Sequence, residues 1–162
     1  MIHVGQEVYG GIVFYVDETG QHGLVAAMED IEGMYEWGCY GTDINGNNSS
    51  VSPELDGIGT GLQNTLEIVS GCSETPIPAS EALAYESGGF SDWYLPSRDE
   101  LYEMYNTIGN GGPEGNIGGF SSAYWSSSEY DNYFAWGVGF GNGDTGIANK
   151  SNTYRVRVIR AF

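Results

Sequence analysis

The residues of this chain that could perform chemistry are a run of oxygen-bearing side chains, two cysteines and two histidines. Five of the oxygen-bearing residues fall at positions 1, 3, 5, 7 and 12 of an EF-hand-like count: Asp43, Asn45, Asn47, Ser49 and Glu54. Such ligands suit Ca²⁺. Position 6 of the count is Asn48 instead of glycine, and no helix is predicted before it, so an Asn- and Gly-rich polar loop is the alternative. Calcium is the one cofactor that the sequence suggests.

The two cysteines, Cys39 and Cys72, each lie next to a glycine. One interpretation is a disulfide that closes a loop of 34 residues, which chain entropy would stabilise by about 4 kcal/mol. The other is a pair of buried free thiols. Composition and charge typical of an extracellular protein favour the disulfide. Zinc is not expected, because no Cys-x-x-Cys pair occurs and neither histidine lies close by.

The histidines give no sign of catalysis. His3 lies at the N-terminus and His22 at an expected turn, and neither has a serine or cysteine motif partner. The sequence contains no Gly-x-Ser-x-Gly, His-Glu-x-x-His or P-loop motif. Because an enzyme needs a nucleophile, a base or a metal held in a site, we expect a protein without catalytic activity.

The charge balance excludes further classes of partner. The chain of 162 residues has 22 acidic against 5 basic residues, a net charge of −17. Nucleic-acid binding is not expected, because neutralising phosphates needs lysine and arginine. No apolar run reaches the roughly 18 to 20 residues of a membrane span, so no membrane insertion is expected. With 40% hydrophobic and 14% aromatic residues, the chain can bury a core, and we expect residues 1–162 to form one domain.

Three helices are predicted to organise the middle of the chain. Thr60 and Gln63 form a capping box for a helix that ends at Gly71. Its apolar stripe is predicted to consist of Leu62, Leu66 and Val69. A short second helix is predicted over residues 79–86. The third begins at a Ser97/Glu100 capping box, and its apolar residues recur at helical spacing before Gly109: Leu101, Met104, Tyr105 and Ile108. Residues 109–119 can only be a loop.

Strands are predicted at both ends of the chain. Residues 6–16 and 23–27 suggest a hairpin in which the Gly10-Gly11 pair marks a bulge or a close backbone approach. Further strands are predicted over residues 123–128, 134–140 and 154–162. Three arginines fall in the last strand, and we expect them to pair with internal carboxylates such as Asp92 or Asp99: Arg155, Arg157 and Arg160.

The strand over residues 134–140 has an unusual composition. Trp136, Val138 and Phe140 alternate with glycines on the opposite face: Gly137, Gly139 and Gly141. A strand face without side chains is poorly stabilised. It could be a flat backbone surface on which another subunit packs, an assembly face, or it could reflect drift at variable positions.

Five segments in order resemble one known family. They are residues 10–15, 22–27, 89–101, 124–129 and 155–162. Together they resemble the Lcl-type C-terminal domain, named after a bacterial collagen-like adhesin, over essentially the whole chain. That family is similar to C-type-lectin-like folds, in which N- and C-terminal strands pair and long loops present a binding face. It is also similar to the variable proteins of diversity-generating retroelements.

The resemblance implies the fold and the place of a ligand site. It implies an α+β, C-type-lectin-like domain with a twisted antiparallel sheet, two or three helices and long Gly/Asn-rich loops. The four tryptophans sit in family motifs and are expected in the core: Trp37, Trp93, Trp125 and Trp136. The display loops are expected at about residues 130–153, with these ligand-binding residues: Tyr130, Asp131, Asn132, Tyr133, Asp144 and Asn149. Tyrosine suits such a surface because it offers rigid area and a hydroxyl.

Two functions remain open at this level. The first is an extracellular adhesin or fibre-type module, on a cell surface, filament or phage particle, that binds a glycan or a cell-surface protein. The second is a structural subunit that forms a homopolymeric, pilus-like filament. N-glycosylation patterns at Asn47, Asn48 and Asn149 carry weight only in a host that glycosylates. The N-terminus shows no signal peptide, so a mature product, an excerpt or another secretion route is expected.

Overall fold

The computed structural model describes residues 1–45 and 53–162. In this part of the chain the elements are β1 (Glu7–Val8), β2 (Gly11–Val16), β3 (Gly23–Ala26), β4 (Tyr35–Glu36), α1 (Pro53–Asp56), α2 (Gly61–Gly71), α3 (Pro78–Ala84), α4 (Arg98–Ile108), β5 (Ala123–Glu129), β6 (Phe134–Gly139), β7 (Asp144–Asn149), β8 (Thr153–Tyr154) and β9 (Ile159–Ala161). Every strand pair is antiparallel, and the architecture is α+β. Four described helices replace the two or three that were expected.

The N-terminal hairpin is confirmed and forms the middle of a four-stranded sheet with the order β1-β2-β3-β9. The C-terminal strand β9 pairs with β3, with Val25 opposite Arg160. Gly10 and Gly11 are both sites of close approach. A Cβ at Gly10 would lie 2.7 Å from the Phe90 ring, and one at Gly11 would overlap the carbonyl of Ala26. The absence of side chains therefore allows β2 to lie in this sheet.

The second large sheet has the order β5-β6-β7. Strand β7 corrects a prediction, since residues 130–153 were expected to be display loops and residues 144–149 form a strand. Residues 134 and 149 pair, and the register continues without a bulge to residues 139 and 144. Most of β7 is exposed, so it lacks the hydrophobic alternation by which a strand is recognised. Its pairing with β6 is what defines it.

The predicted strand over residues 154–162 is wrong in its middle. Arg155 exchanges backbone hydrogen bonds with residues 123 and 125, whereas the carbonyls of Val156 and Val158 accept from Ile31 and Ala27. This segment crosses from one sheet to the other, so no single ladder runs its length. Val156 and Val158 are buried, and Arg157 between them is buried as well.

Helix α4 confirms its prediction. The Ser97 side chain accepts from the backbone N–H of Glu100, and the Glu100 carboxylate accepts from the backbone N–H of Ser97, which is a capping box. Leu101, Met104 and Ile108 are buried. Burial raises the pKa of Glu100 although backbone N–H groups hold its carboxylate.

Helix α2 has the predicted end but faces the opposite way from the prediction. Leu62, Leu66 and Val69 are exposed, and the buried residues are Gly61, Asn64, Thr65 and Ile68. Asn64 donates to the carbonyl of Leu55, and the Thr65 hydroxyl accepts from the backbone N–H of Leu95. The polar side is therefore buried because it satisfies backbone groups of neighbouring segments. The Thr60–Gln63 capping box is also wrong, since the Thr60 hydroxyl donates to the carbonyls of Leu55 and Gly57.

The arginines are paired as expected, with one further partner. Arg160 binds Asp92 at 2.7 Å, which holds the pKa of that carboxyl below its usual range. Arg157 binds Asp30 at 2.9 Å and is buried, so Asp30 replaces the expected Asp99.

The Cys39–Cys72 disulfide is present and packs beside Trp37 and Ile77. Among the described residues, no helix is both long and apolar enough to cross a lipid bilayer.

Candidate binding surface

The site is built around the β6–β7 hairpin and the turn between β5 and β6 that precedes it, and this turn contains four of the predicted ligand residues. The Asp131 carboxylate accepts from the backbone N–H groups of Tyr133 and Phe134 at 2.8 and 2.9 Å. The backbone N–H of Gly41 donates to the Asn132 carbonyl. Asp131 therefore shapes the turn as a local side chain-to-backbone cap. Its contact with a ligand stays a prediction.

Tyr133 extends from this turn toward an aromatic residue that the sequence did not single out. Its ring centroid lies 5.2 Å from that of Tyr40, and both rings are about half exposed. The structure thus joins the turn to the segment that follows β4. The resulting pair is a small, open aromatic patch.

A buried ion pair fixes the base of this region. Lys150, the one lysine of the chain, lies 2.5 Å from Glu129, and both side chains are fully buried. The ammonium group also donates to the carbonyl of Thr42. The Glu129 carboxylate accepts from the backbone N–H groups of Ile44 and Asn45. Through this pair the ends of β5 and β7 hold the segment 42–45.

Trp136 forms the centre of a cleft on the side of the sheet that faces the start of α4. It was expected in the core, but unlike Trp37, Trp93 and Trp125 it is only partly buried. The guanidinium of Arg98 lies 5.0 Å from its ring centroid, and Tyr130 packs edge-on at 6.0 Å. The cleft has a volume of about 400 Å³ and is lined by Arg98, Asp99, Tyr102, Trp136, Gly143 and Thr145.

The sequence missed the α4 side of this cleft. The Arg98 guanidinium donates twice to one Asp99 oxygen, at 2.9 and 2.7 Å. Tyr102 stacks on Tyr105, whose ring lies so close to Gly143 that a Cβ there would overlap it. The alternation of Trp136 with Val138 placed the tryptophan on the core-facing side of β6. Only the position of α4 shows that this side is open at the Trp136 end.

The remaining predicted ligand residues do not converge on the cleft. Asn149 pairs with residue 134 at one end of the hairpin, and Asp144 pairs with residue 139 at the other. Five residue steps separate these ends, about 17 Å along a strand. The Asn149 amide oxygen accepts from the N–H and hydroxyl of Ser151. The six predicted residues therefore belong to different parts of the surface.

The predicted assembly face is open over only part of its length. A Cβ at Gly137 would lie 3.5 Å from the Tyr154 ring, so Tyr154 covers this position. A Cβ at Gly141 or Gly146 would have no neighbour within 4 Å, and one at Gly139 would meet its nearest atoms at 3.9 Å. A shallow groove of about 220 Å³ follows this glycine floor and includes Ile147 of the edge strand.

The candidate calcium ligands are only partly described. Asn47, Asn48 and Ser49 lie outside the described residues, and Asp43 and Glu54 are exposed. The Asn45 amide donates to Glu67 at 2.5 Å. In the described chain one group has metal-like spacing, Cys39, Cys72 and Glu74, but the disulfide occupies both cysteines. Calcium binding and glycosylation stay predictions.

Comparison with known proteins shows a family and a similar solved structure. The family model of the Lcl C-terminal domain matches residues 40–160. The crystal structure of a fimbrial protein from Bacteroides ovatus is similar, with a TM-score of 0.52 and 18% sequence identity. The similarity covers 85% of this chain but 35% of the fimbrial protein, so the chain spans about a third of that protein's length. No curated protein matches the sequence significantly.

Proposed function

Because the chain belongs to the Lcl C-terminal domain family, we propose that it is a non-enzymatic recognition module of an extracellular adhesin or fibre-type protein. Its fold is of the C-type-lectin-like type in this proposal, and its ligand is a glycan bound in the Trp136 cleft. The observation that carries the proposal is the partly exposed Trp136, held between Arg98 and Tyr130 at the wall of a cleft.

The cleft has the size and lining that a sugar requires. Its volume of about 400 Å³ lies within the usual range for small-ligand sites. Trp136 and Tyr102 offer apolar rings for the C–H faces of a sugar, and the hydroxyls of Tyr102 and Thr145 offer hydrogen bonds. Arg98 and Tyr130 pack on Trp136 and limit its movement, so less entropy is lost when a ligand binds.

Two further observations support an extracellular location. The Cys39–Cys72 disulfide is of a kind that persists in oxidising compartments. The fold resembles part of a fimbrial protein. Placing this chain in a fibre or on a cell surface is part of the proposal.

A glycan array tests the binding function with three proteins: wild type, Trp136→Ala and Tyr133→Ala. We expect Trp136→Ala to weaken binding about tenfold or more, because buried tryptophans dominate binding sites. Tyr133→Ala tests the neighbouring patch, whose tyrosine the sequence predicts as a ligand residue. The array is repeated with and without Ca²⁺, which tests the candidate ligands Asp43, Asn45 and Glu54. Loss of binding in Tyr133→Ala alone would move the site to the turn, and equal binding by all three proteins would refute the cleft.

A structural filament subunit is the second candidate, and the edge strand β7 favours it. The register with β6 has no bulge, and the strand Asp144–Asn149 contains no lysine or proline. Such residues are what natural proteins use to prevent edge-to-edge pairing. The open glycine floor beside β7 lets another subunit approach the backbone closely.

Negative-stain electron microscopy with light scattering tests this second candidate. Gly139→Arg should block filaments without unfolding the chain, because a Cβ at Gly139 would meet its nearest atoms at 3.9 Å. Leu66→Arg, on the exposed face of α2, is the matched control and should still assemble. A monodisperse small particle from the wild type would exclude the filament.

A further inference from the structure

We infer that the Trp136 cleft takes an uncharged saccharide and discriminates against anionic glycans, an inference that rests on the proposed binding function. Its basis is that each of the five cationic side chains of the chain already has a carboxylate partner. The pairs are Arg98–Asp99 at 2.7 Å, Lys150–Glu129 at 2.5 Å, Arg155–Asp30 at 3.9 Å, Arg157–Asp30 at 2.9 Å and Arg160–Asp92 at 2.7 Å.

Within the cleft, the one cation is occupied on two sides. Nε and Nη2 of Arg98 both donate to Asp99, and Cζ of its guanidinium lies 5.0 Å from the centroid of the Trp136 ring. An anionic sugar that accepts from Nη1 would lie beside the negative charge of Asp99, and this repulsion offsets the gain from a charge-assisted hydrogen bond. Arg98 is also largely covered, with 16% of its side chain exposed.

None of the other four cations lines the cleft. Lys150 and Arg157 are buried, and Arg160 is held against the Phe90 ring as well as Asp92. Arg155 is the most accessible of these four, yet it too lies beside Asp30. The surplus charge of the molecule, −17, is therefore carried on a surface without a free lysine or arginine. Such a field repels an anion before any contact forms.

The cleft itself is electrically neutral, so it favours an uncharged ligand over a cationic one. Arg98 and Asp99 cancel, and the other lining residues are uncharged: Tyr102, Trp136, Gly143 and Thr145. A cationic ligand would be attracted to the acidic surface as a whole. Within the described cleft it would meet one carboxylate, Asp99, which Arg98 already binds. Aromatic rings and hydroxyls recognise a sugar through its C–H faces and hydroxyl groups, which need no charge.

A glycan array that contains neutral, sialylated and sulfated glycans tests the inference in 50 and 500 mM NaCl. We expect Trp136-dependent binding to neutral glycans, changed less than about twofold by salt because no ion pair with the ligand is screened. Trp136-dependent binding confined to sialylated or sulfated glycans would overturn the inference while leaving the binding function intact. Absence of any Trp136-dependent binding would instead overturn the proposed function.

Two charge variants sharpen the test. Asp99→Asn releases Arg98 from its carboxylate, and we expect the ratio of sialylated to neutral binding to rise by about tenfold, the effect of one charge-assisted hydrogen bond. Glu18→Gln removes the same charge from the exposed turn between β2 and β3, which contributes no residue to the cleft, and should leave that ratio unchanged. An equal rise in both variants would show that net charge alone, and not the Arg98–Asp99 pair, sets the preference.

Discussion

Replacing Lys150 with methionine removes the ammonium group from the buried pair with Glu129. Methionine matches the lysine side chain without its Nζ atom, so the cavity left behind is small. The ammonium group lies 2.5 Å from Glu129 and 4.7 Å from the centroid of the Trp37 ring, and it also donates to the carbonyl of Thr42. All of these contacts of the ammonium group disappear together, and Glu129 loses the cation to which it is bound.

The expected loss is large for a single substitution. Removing one partner of a buried ion pair costs about 3–5 kcal/mol, a considerable part of the roughly 5–15 kcal/mol by which most proteins are stable. The matched control is Arg155→Met. Arg155 is about a third exposed and lies 3.9 Å from Asp30, so its removal should cost less than about 1 kcal/mol.

Urea unfolding of the two variants, followed by tryptophan fluorescence, measures both costs. Hydrogen exchange of the segment 42–45 adds a local readout, because the N–H groups of Ile44 and Asn45 donate to Glu129. We expect faster exchange there in Lys150→Met than in Arg155→Met. A loss below about 1 kcal/mol in Lys150→Met would refute the reasoning, since the pair would then be no stronger than one on the surface.

Three further expectations follow from the same structure. Leu66→Gln, on the exposed face of α2, should change the free energy of unfolding by less than about 0.5 kcal/mol. Ile68→Ala, two residues later on the buried face, should lower it by about 2–5 kcal/mol in urea unfolding. Similar losses in the two variants would contradict the observed orientation of α2. Replacing Cys39 and Cys72 with serine should destabilise the protein by about 4 kcal/mol, since the disulfide spans a sequence separation of 33, and an unchanged melting temperature would count against it. Burial raises the pKa of Tyr124 to about 12, so the folded state keeps this proton longer than the unfolded one and stability should fall between pH 10 and 12. In Tyr124→Phe, thermal melts should show a smaller fall over that range, and an undiminished fall would rule out this tyrosine as its source.

Local patterns were sufficient where a segment decides its own structure. The Ser97/Glu100 capping box and the apolar spacing of α4 gave the start of the helix and its buried face. The two short β-runs at the N-terminus predicted the hairpin, and Gly11 marked the close approach to Ala26 within it. In these cases the partners are near in sequence, so spacing alone carries the information.

Local patterns failed where the partner is distant. The apolar residues of α2 were expected to be buried, but carbonyl and N–H groups of Leu55 and Leu95 are satisfied by Asn64 and Thr65. Strand β7 has little hydrophobic content and exists through its pairing with β6. No feature within either segment reports the unsatisfied backbone groups that lie beside it in the fold.

The candidate site shows the same division. The six predicted ligand residues fall on the β6–β7 hairpin and on the β5–β6 turn before it, and they are spread over both ends of the hairpin. The expectation that Trp136 lies in the core came from its place in a family motif, and a motif does not report how deeply a side chain is buried. The α4 contribution, Arg98 and Tyr102, comes from a segment more than thirty residues earlier in the chain.

The sequence by itself determined the charge of −17, the supply of only five cations and the single cysteine pair. Those quantities depend on composition, so they constrain the class of partner before any fold is known. The tertiary structure alone decided that every cation has a carboxylate partner and that Trp136 lies in an open cleft. Both depend on distances between residues far apart in the chain, which only the packing of the sheets and helices determines.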